Sequence, residues 1–285
     1  MASVGSIIYG SDYNAVRVKV DGILGTGAYY AGPTNGYGYN QTVASALVNP
    51  NDVITAAQWN NLANDLNKCY LHQTGTNFPG YTTISGQITY ANLTTLDGIA
   101  NTIVSNRLNI GSNQFTQSLL RTDTRSAAWS TSISTGIRLD WSSTNNMWYF
   151  FNQGGSFKLQ GIVPSGSSTP QDLSWRTLMQ NFNYTTTFAN FQGAWNIRSN
   201  KNNALVVYSS SGSTPYQLNT VTVAMTIISE LAVQLFVQYN DAHTATGGGP
   251  DSVSAGIGCS TYRNIASSAF NGTPQSTVTN TFTFG

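Results

Sequence analysis

Val221-Thr-Val-Ala-Met-Thr-Ile-Ile-Ser-Glu-Leu-Ala-Val-Gln-Leu-Phe-Val-Gln-Tyr-Asn240 reads as two β-strands and the turn that joins them. Val221–Ile228 and Leu231–Asn240 are strongly apolar and rich in β-branched residues. Alternation turns Val223, Ile227, Leu235 and Val237 toward one inward face. Glu230, the only glutamate in the chain, falls between the two strands, where a hairpin-turn residue belongs.

Strand patterns recur on either side of this hairpin, at Phe115–Arg121, Ile133–Trp141, Met147–Phe151, Ser156–Val163, Leu205–Ser209, Val253–Tyr262 and Val278–Phe284. Ser142–Asn146 and Asn152–Gly155 read as hairpin turns. Pro170–Phe182 reads as a short helix with Leu173, Leu178 and Met179 inward and Trp175 near them. About nine short strands with polar turns predict an antiparallel β-sandwich over residues 111–285. Its expected core includes Phe150, Leu159 and Ile257 together with the four hairpin residues.

Residues 1–110 read differently, as three helices separated by Gly- and Tyr-rich loops. Ser11 is placed to cap a helix with Tyr13, Val16, Val20 and Ile23 on one face, ended by Gly22 and Gly25. Thr55-Ala-Ala-Gln58 is a capping box followed by the stripe Trp59, Leu62, Ala63, Leu66 and Tyr70. His72 and Gly75 stand where a helix C-terminus favours partial positive charge and glycine. A third helix runs from about Thr89 to Arg107, with Leu93, Leu96, Ile99, Ala100 and Ile103 on one side. The fold class expected is thus mainly β with an α-helical N-terminal part: a sandwich of about nine strands preceded by three short helices.

Of the 285 residues only 8% are charged, with 12 basic and 11 acidic side chains and a formal net charge of +1. Polarity comes from Ser, Thr, Asn, Gln and Gly, and apolar mass from 15 Tyr, 12 Phe and 6 Trp. A neutral, hydroxyl- and amide-rich surface with many Tyr resembles adaptable recognition surfaces more than enzyme surfaces. There is no basic patch for phosphate contacts, so no nucleic-acid partner is expected. No apolar stretch is long enough to cross a membrane. No basic n-region or apolar h-region opens the chain, so no secretory signal is expected.

Groups that carry catalysis are scarce. His243 lies in Asn240-Asp-Ala-His243, where Asp241 and His243 share a face, but a third metal ligand is missing. Asp140, Asp241, Asp251 and Glu230 are scattered among turns, whereas glycoside hydrolysis needs a flanking pair. Cys69 and Cys259 fit no metal or redox spacing and read as two free, buried thiols, with nothing that argues for a disulfide. No catalytic residue, metal or cofactor is expected. The candidate site residues are an assembly interface instead: Trp59, Leu62, Leu66 and Tyr70 on one helix, Tyr13, Val16 and Val20 on another. With Tyr29, Tyr30, Tyr37 and Tyr39 in the loop between, they make more apolar surface than three short helices cover among themselves, and such surface marks interfaces.

Three segments carry a resemblance. They are Ile54-Thr-Ala-Ala-Gln-Trp-Asn-Asn-Leu62 with His72-Gln-Thr-Gly75; Trp148-Tyr-Phe-Phe-Asn-Gln-Gly-Gly-Ser156 with the helix at Trp175; and Phe236-Val-Gln-Tyr-Asn-Asp-Ala-His-Thr244 with Asp251-Ser-Val and Ser260-Thr-Tyr-Arg263. In this order they resemble virion structural, tail-fibre-like proteins of marine contractile-tailed phages, the cyanophages, over about Tyr13 to Thr281. The resemblance implies a particle component of the tail, neck or fibre apparatus, assembled in the host cytoplasm with copies of itself and other virion proteins, a trimer by analogy with fibres. It implies no catalytic residue. Two other readings stand beside it. One is a carbohydrate-binding or carbohydrate-cleaving β domain acting on a host-surface saccharide, with Trp129, Trp141, Trp148 and Trp195 as stacking candidates. The other is a capsid decoration protein.

Overall fold

A computed structural model of the chain describes residues 8–27, 38–50, 52–83, 89–163, 169–197, 204–242, 252–254, 256–267 and 276–282. The chain forms two compact units. The first is Met1–Thr116 with Trp148–Gly155 and Ile265–Pro274, and the second is Gln117–Met147, Ser156–Asn264 and Gln275–Gly285.

The first unit is built on α1 (Gly10–Leu24), α2 (Ala56–Thr74) and α3 (Tyr90–Ser105). α2 begins as its sequence dictates. The Thr55 hydroxyl accepts the Gln58 N–H at 3.2 Å while the Gln58 amide oxygen accepts the Thr55 N–H at 2.8 Å. It ends at Gly75, whose φ of +83° is the left-handed conformation that glycine adopts without strain. Thr89 and Asn92 repeat the reciprocal cap on α3. α1 starts two residues earlier than Ser11 implied: Tyr9 is the cap residue and the Asp12 carboxylate accepts its N–H at 3.1 Å. Gly22 is a buried helical residue, and only Gly25 ends the helix.

The apolar stripes of the three helices face one another. Tyr13, Val16, Val20, Trp59, Leu62 and Leu66 are buried in one cluster with Leu93, Leu96, Ala100 and Ile103, and Tyr70 packs against it. The connecting segments complete the cover. Tyr39, Val48 and Phe78 belong to the same core. Asn14 holds residue 48 by a reciprocal pair, donating to the Val48 carbonyl at 2.8 Å and accepting its N–H at 3.0 Å. Lys19 on α1 reaches Asp97 on α3 at 2.6 Å. The candidate assembly interface is therefore corrected. Its residues are the interior of this unit, because segments read as loop supply the apolar cover that the helices lack. Tyr29, Tyr30 and Tyr37 lie outside the described residues.

The second unit carries β1 (Phe115–Arg125), β2 (Thr131–Asp140), β3 (Ser156–Ile162), β4 (Asn183–Thr185), β5 (Leu205–Ser211), β6 (Thr220–Ser229), β7 (Ala232–Asp241), β8 (Ile257–Ala266) and β9 (Thr277–Phe282). A four-stranded sheet has the order β1-β8-β3-β4, and a five-stranded antiparallel sheet the order β5-β6-β7-β2-β9. The β6–β7 hairpin pairs Val223 with Val237 and Met225 with Leu235. The inward residues Val221, Val223, Met225 and Ile227 are all buried. Contacts join the sheets: the Thr135 hydroxyl on β2 donates to Asp123 on β1 at 3.0 Å, and Trp141 meets Phe157 edge to face at 6.3 Å. The antiparallel sandwich is as the strand pattern predicts, and Leu159, Val223, Ile227, Leu235, Val237 and Ile257 are buried.

Of three further helices, one stands where a strand was expected, one where a helix was expected, and one went unread. α4 (Thr144–Asn152) replaces the expected strand Met147–Phe151 and its preceding turn. Ser143 caps it, accepting the Asn146 N–H at 3.1 Å, so the Ser142–Asn146 stretch is a helix start and not a hairpin. Phe150 is buried, but on this helix and within the first unit. Asn152–Gly155 closes the helix. α5 (Pro170–Asn181) buries Trp175, Leu178 and Met179, whereas Leu173 is exposed. α5 lies so close to β3 that a Cβ at Gly161 would stand 2.3 Å from the Met179 carbonyl oxygen, which is why glycine occupies that position. α6 (Phe188–Ile197) went unread, and the nine strands are completed by the three-residue β4.

Candidate functional site

Among the described residues His72, Asp140 and Asp241 are held in structural contacts. His72 is buried with its ring edge-on to Tyr39 at 4.9 Å. Burial lowers its pKa from 6.5 to about 4, with the Gln153 backbone acting the other way. The ring is neutral at neutral pH, so it does not supply the helix-end charge that its position suggested. Asp241 is buried and accepts two bonds from the Gln171 amide, at 2.9 and 2.8 Å. Its suggested companion His243, and Asp251, lie outside the described residues. Glu230 sits exposed at the β6–β7 turn, as expected. Asp140 is held by Arg138 through its guanidinium fork, at 2.8 to 3.1 Å. Among the described residues no group of three His, Cys, Asp or Glu could hold a metal ion. No helix there is long and apolar enough to cross a membrane.

Cys69 and Cys259 are free and buried. Burial, and after it the Asp65 charge, raises the Cys69 thiol, and burial raises that of Cys259 to about 12. Neither forms a thiolate near neutral pH. We expect no reaction of the native protein with a thiol-exchange reagent at about pH 8, and two reacting thiols once it is denatured. A fast native phase would contradict this placement.

The stacking candidates are placed as plainly. Trp129, Trp141 and Trp148 are buried, and Trp129 packs edge-on to Trp175 at 5.0 Å. The side chain of Trp195 lies outside the described residues. Three of the four tryptophans therefore offer no exposed face to a sugar.

The surface that remains is a sheet edge. β1 is an 11-residue strand at the end of its sheet, with Phe115 39% and Leu119 56% exposed. A strand edge presents unpaired N–H and C=O groups, and proteins blunt such edges with short strands, bulges or charge. The other edges show those devices. β4 has three residues, the β5–β6 register breaks between Val206 and Tyr208, and the β2–β9 register breaks between Arg138 and Leu139. β1 has charge only in its second half, at Arg121, Asp123 and Arg125. Phe115-Thr-Gln-Ser-Leu-Leu120 is uncharged and free of Pro and Gly. The sequence reading found this strand but not its exposure.

No family model, no curated protein and no solved structure matches the chain.

Proposed function

We propose that this chain is a non-enzymatic structural component of a tailed-phage virion, of the tail, neck or fibre apparatus, which assembles with copies of itself and with other virion proteins and takes part in host attachment. The observation that carries this reading is the charge-free half of β1, exposed among the described residues at Phe115 and Leu119. It is a strand edge suited to pairing with another chain. The three segments that resemble cyanophage virion proteins support the particle context. Front-half helices that close on their own core leave assembly to the β unit. A trimer is the expected state by analogy with fibres, an argument from architecture and not from a residue.

Light scattering on the full chain tests the assembly step. Wild type is expected to self-associate, and Leu119→Lys to weaken association about tenfold or more without lowering thermal stability. A wild-type chain that stays monomeric at high concentration would contradict self-assembly through this edge.

A further inference from the structure

A second feature of the β unit is a pocket at one end of the four-stranded sheet, formed where β1 ends, β8 begins and β3 ends. Its volume is about 230 Å³. That is below the usual range of about 300–1,000 Å³ for ligand pockets and admits only a small molecule. Two glycines stand at this end of the sheet, where the chain around β8 passes close to the β1 backbone. Gly256 lines the pocket, and at Gly258 a Cβ would meet the Asp123 carbonyl oxygen at 2.6 Å.

The lining is of two kinds. Ile162, Val163 and Ile257 form an apolar wall. Arg125, Thr124 and Ser126 also line the pocket. Arg125 makes one bond, from Nε to the Ala127 carbonyl at 3.3 Å, and forms no ion pair among the described residues. The cations of Arg17, Lys19, Arg121 and Arg138, by contrast, each have a carboxylate partner. The terminal nitrogens of the Arg125 guanidinium therefore keep their hydrogen-bonding capacity, and a guanidinium fork matches a carboxylate. Ser254 lines the same pocket with its proton already committed. Its hydroxyl donates to Asp172 Oδ2 at 2.7 Å and its N–H to Oδ1 at 3.1 Å. Toward the pocket the Ser254 oxygen is thus an acceptor, which calls for a donor on the ligand.

We propose that this pocket binds a small hydroxy acid: its carboxylate on Arg125 with the Thr124 and Ser126 hydroxyls, its hydroxyl donated to Ser254 Oγ, and its carbon chain on the isoleucine and valine wall. A single positive charge beside an apolar wall matches a monoanion with a hydrocarbon part better than a phosphate. The site needs neither the edge pairing nor the virion context.

The test is titration of the full chain with 3-hydroxybutyrate, butyrate, 1,3-butanediol and inorganic phosphate, followed by calorimetry or ligand-observed NMR. A millimolar dissociation constant is expected for 3-hydroxybutyrate, with weaker binding of butyrate and none of the neutral diol. Arg125→Gln is expected to weaken 3-hydroxybutyrate binding about tenfold or more, the scale of one lost charge-assisted bond. Thr124→Val, a near-isosteric change at an exposed position, should weaken it several-fold with unchanged thermal stability, which separates lost contacts from lost fold. Diol binding as tight as that of the acid, phosphate binding as tight as that of the acid, or an unaltered affinity in Arg125→Gln would each overturn the proposal. So would the absence of any binding to the folded wild-type protein.

Discussion

Trp59→Ala is expected to destabilise the helical unit by about 3–5 kcal/mol, the usual cost of truncating a large aromatic inside a core. Trp59 is 1% exposed and sits in the cluster with Leu62, Leu66, Tyr13 and Val16. A second position makes the same distinction from a surface stripe. Leu66→Ala should cost about 2–5 kcal/mol for the same reason, and neither change should alter the association state of protein that remains folded. Denaturant unfolding, with light scattering on the same samples, reads both quantities. Unchanged stability with lost self-association would return these residues to an interface.

Acid is expected to remove a comparable amount of stability through His72. The folded state holds this imidazole at a pKa of about 4 against 6.5 in an exposed chain. The unfolded chain therefore binds the proton more tightly. The contribution of the neutral ring is fully present above pH 6.5, declines as pH falls toward 4, and is lost below it. A shift of this size corresponds to about 3 kcal/mol. Unfolding free energies measured across that window should fall steeply in wild type. In His72→Gln, which cannot take up the proton, that part of the slope should vanish whatever the absolute stability. An identical slope in both proteins would contradict the buried, neutral placement.

Which elements could be read from the residues follows from how their side chains are used. The β6–β7 hairpin alternates because one face meets the core and the other does not, so period and register were both visible. The caps of α2 and α3 were visible because their bonds are made by neighbours three residues apart. α4 was not, since Met147-Trp-Tyr-Phe-Phe151 is buried all round and a short apolar run has no period to distinguish helix from strand. Its one local sign was Ser143, whose hydroxyl caps the helix but whose sequence context reads equally as a turn. α6 carries a comparable sign in Thr187 and Asn190, which exchange bonds at its start, with Asn190 Oδ1 accepting the Thr187 N–H at 2.7 Å. The candidate interface failed for a different reason. A stripe states that a helix face must be covered, but not by what, and the cover came from Tyr39, Val48 and Phe78 in segments without helical or strand pattern. The exposed edge of β1 depends on which strands pair across more than a hundred residues, a choice with no local signal.

The most direct test of the virion proposal is a density map of the whole particle, with this chain fitted into it. The account predicts regular copies in the tail, neck or fibre apparatus, with the Phe115–Leu120 edge paired to a neighbouring chain and the α1–α3 stripes closed within each copy. A particle that lacks the chain, or that holds it with this edge facing solvent in every copy, would contradict it.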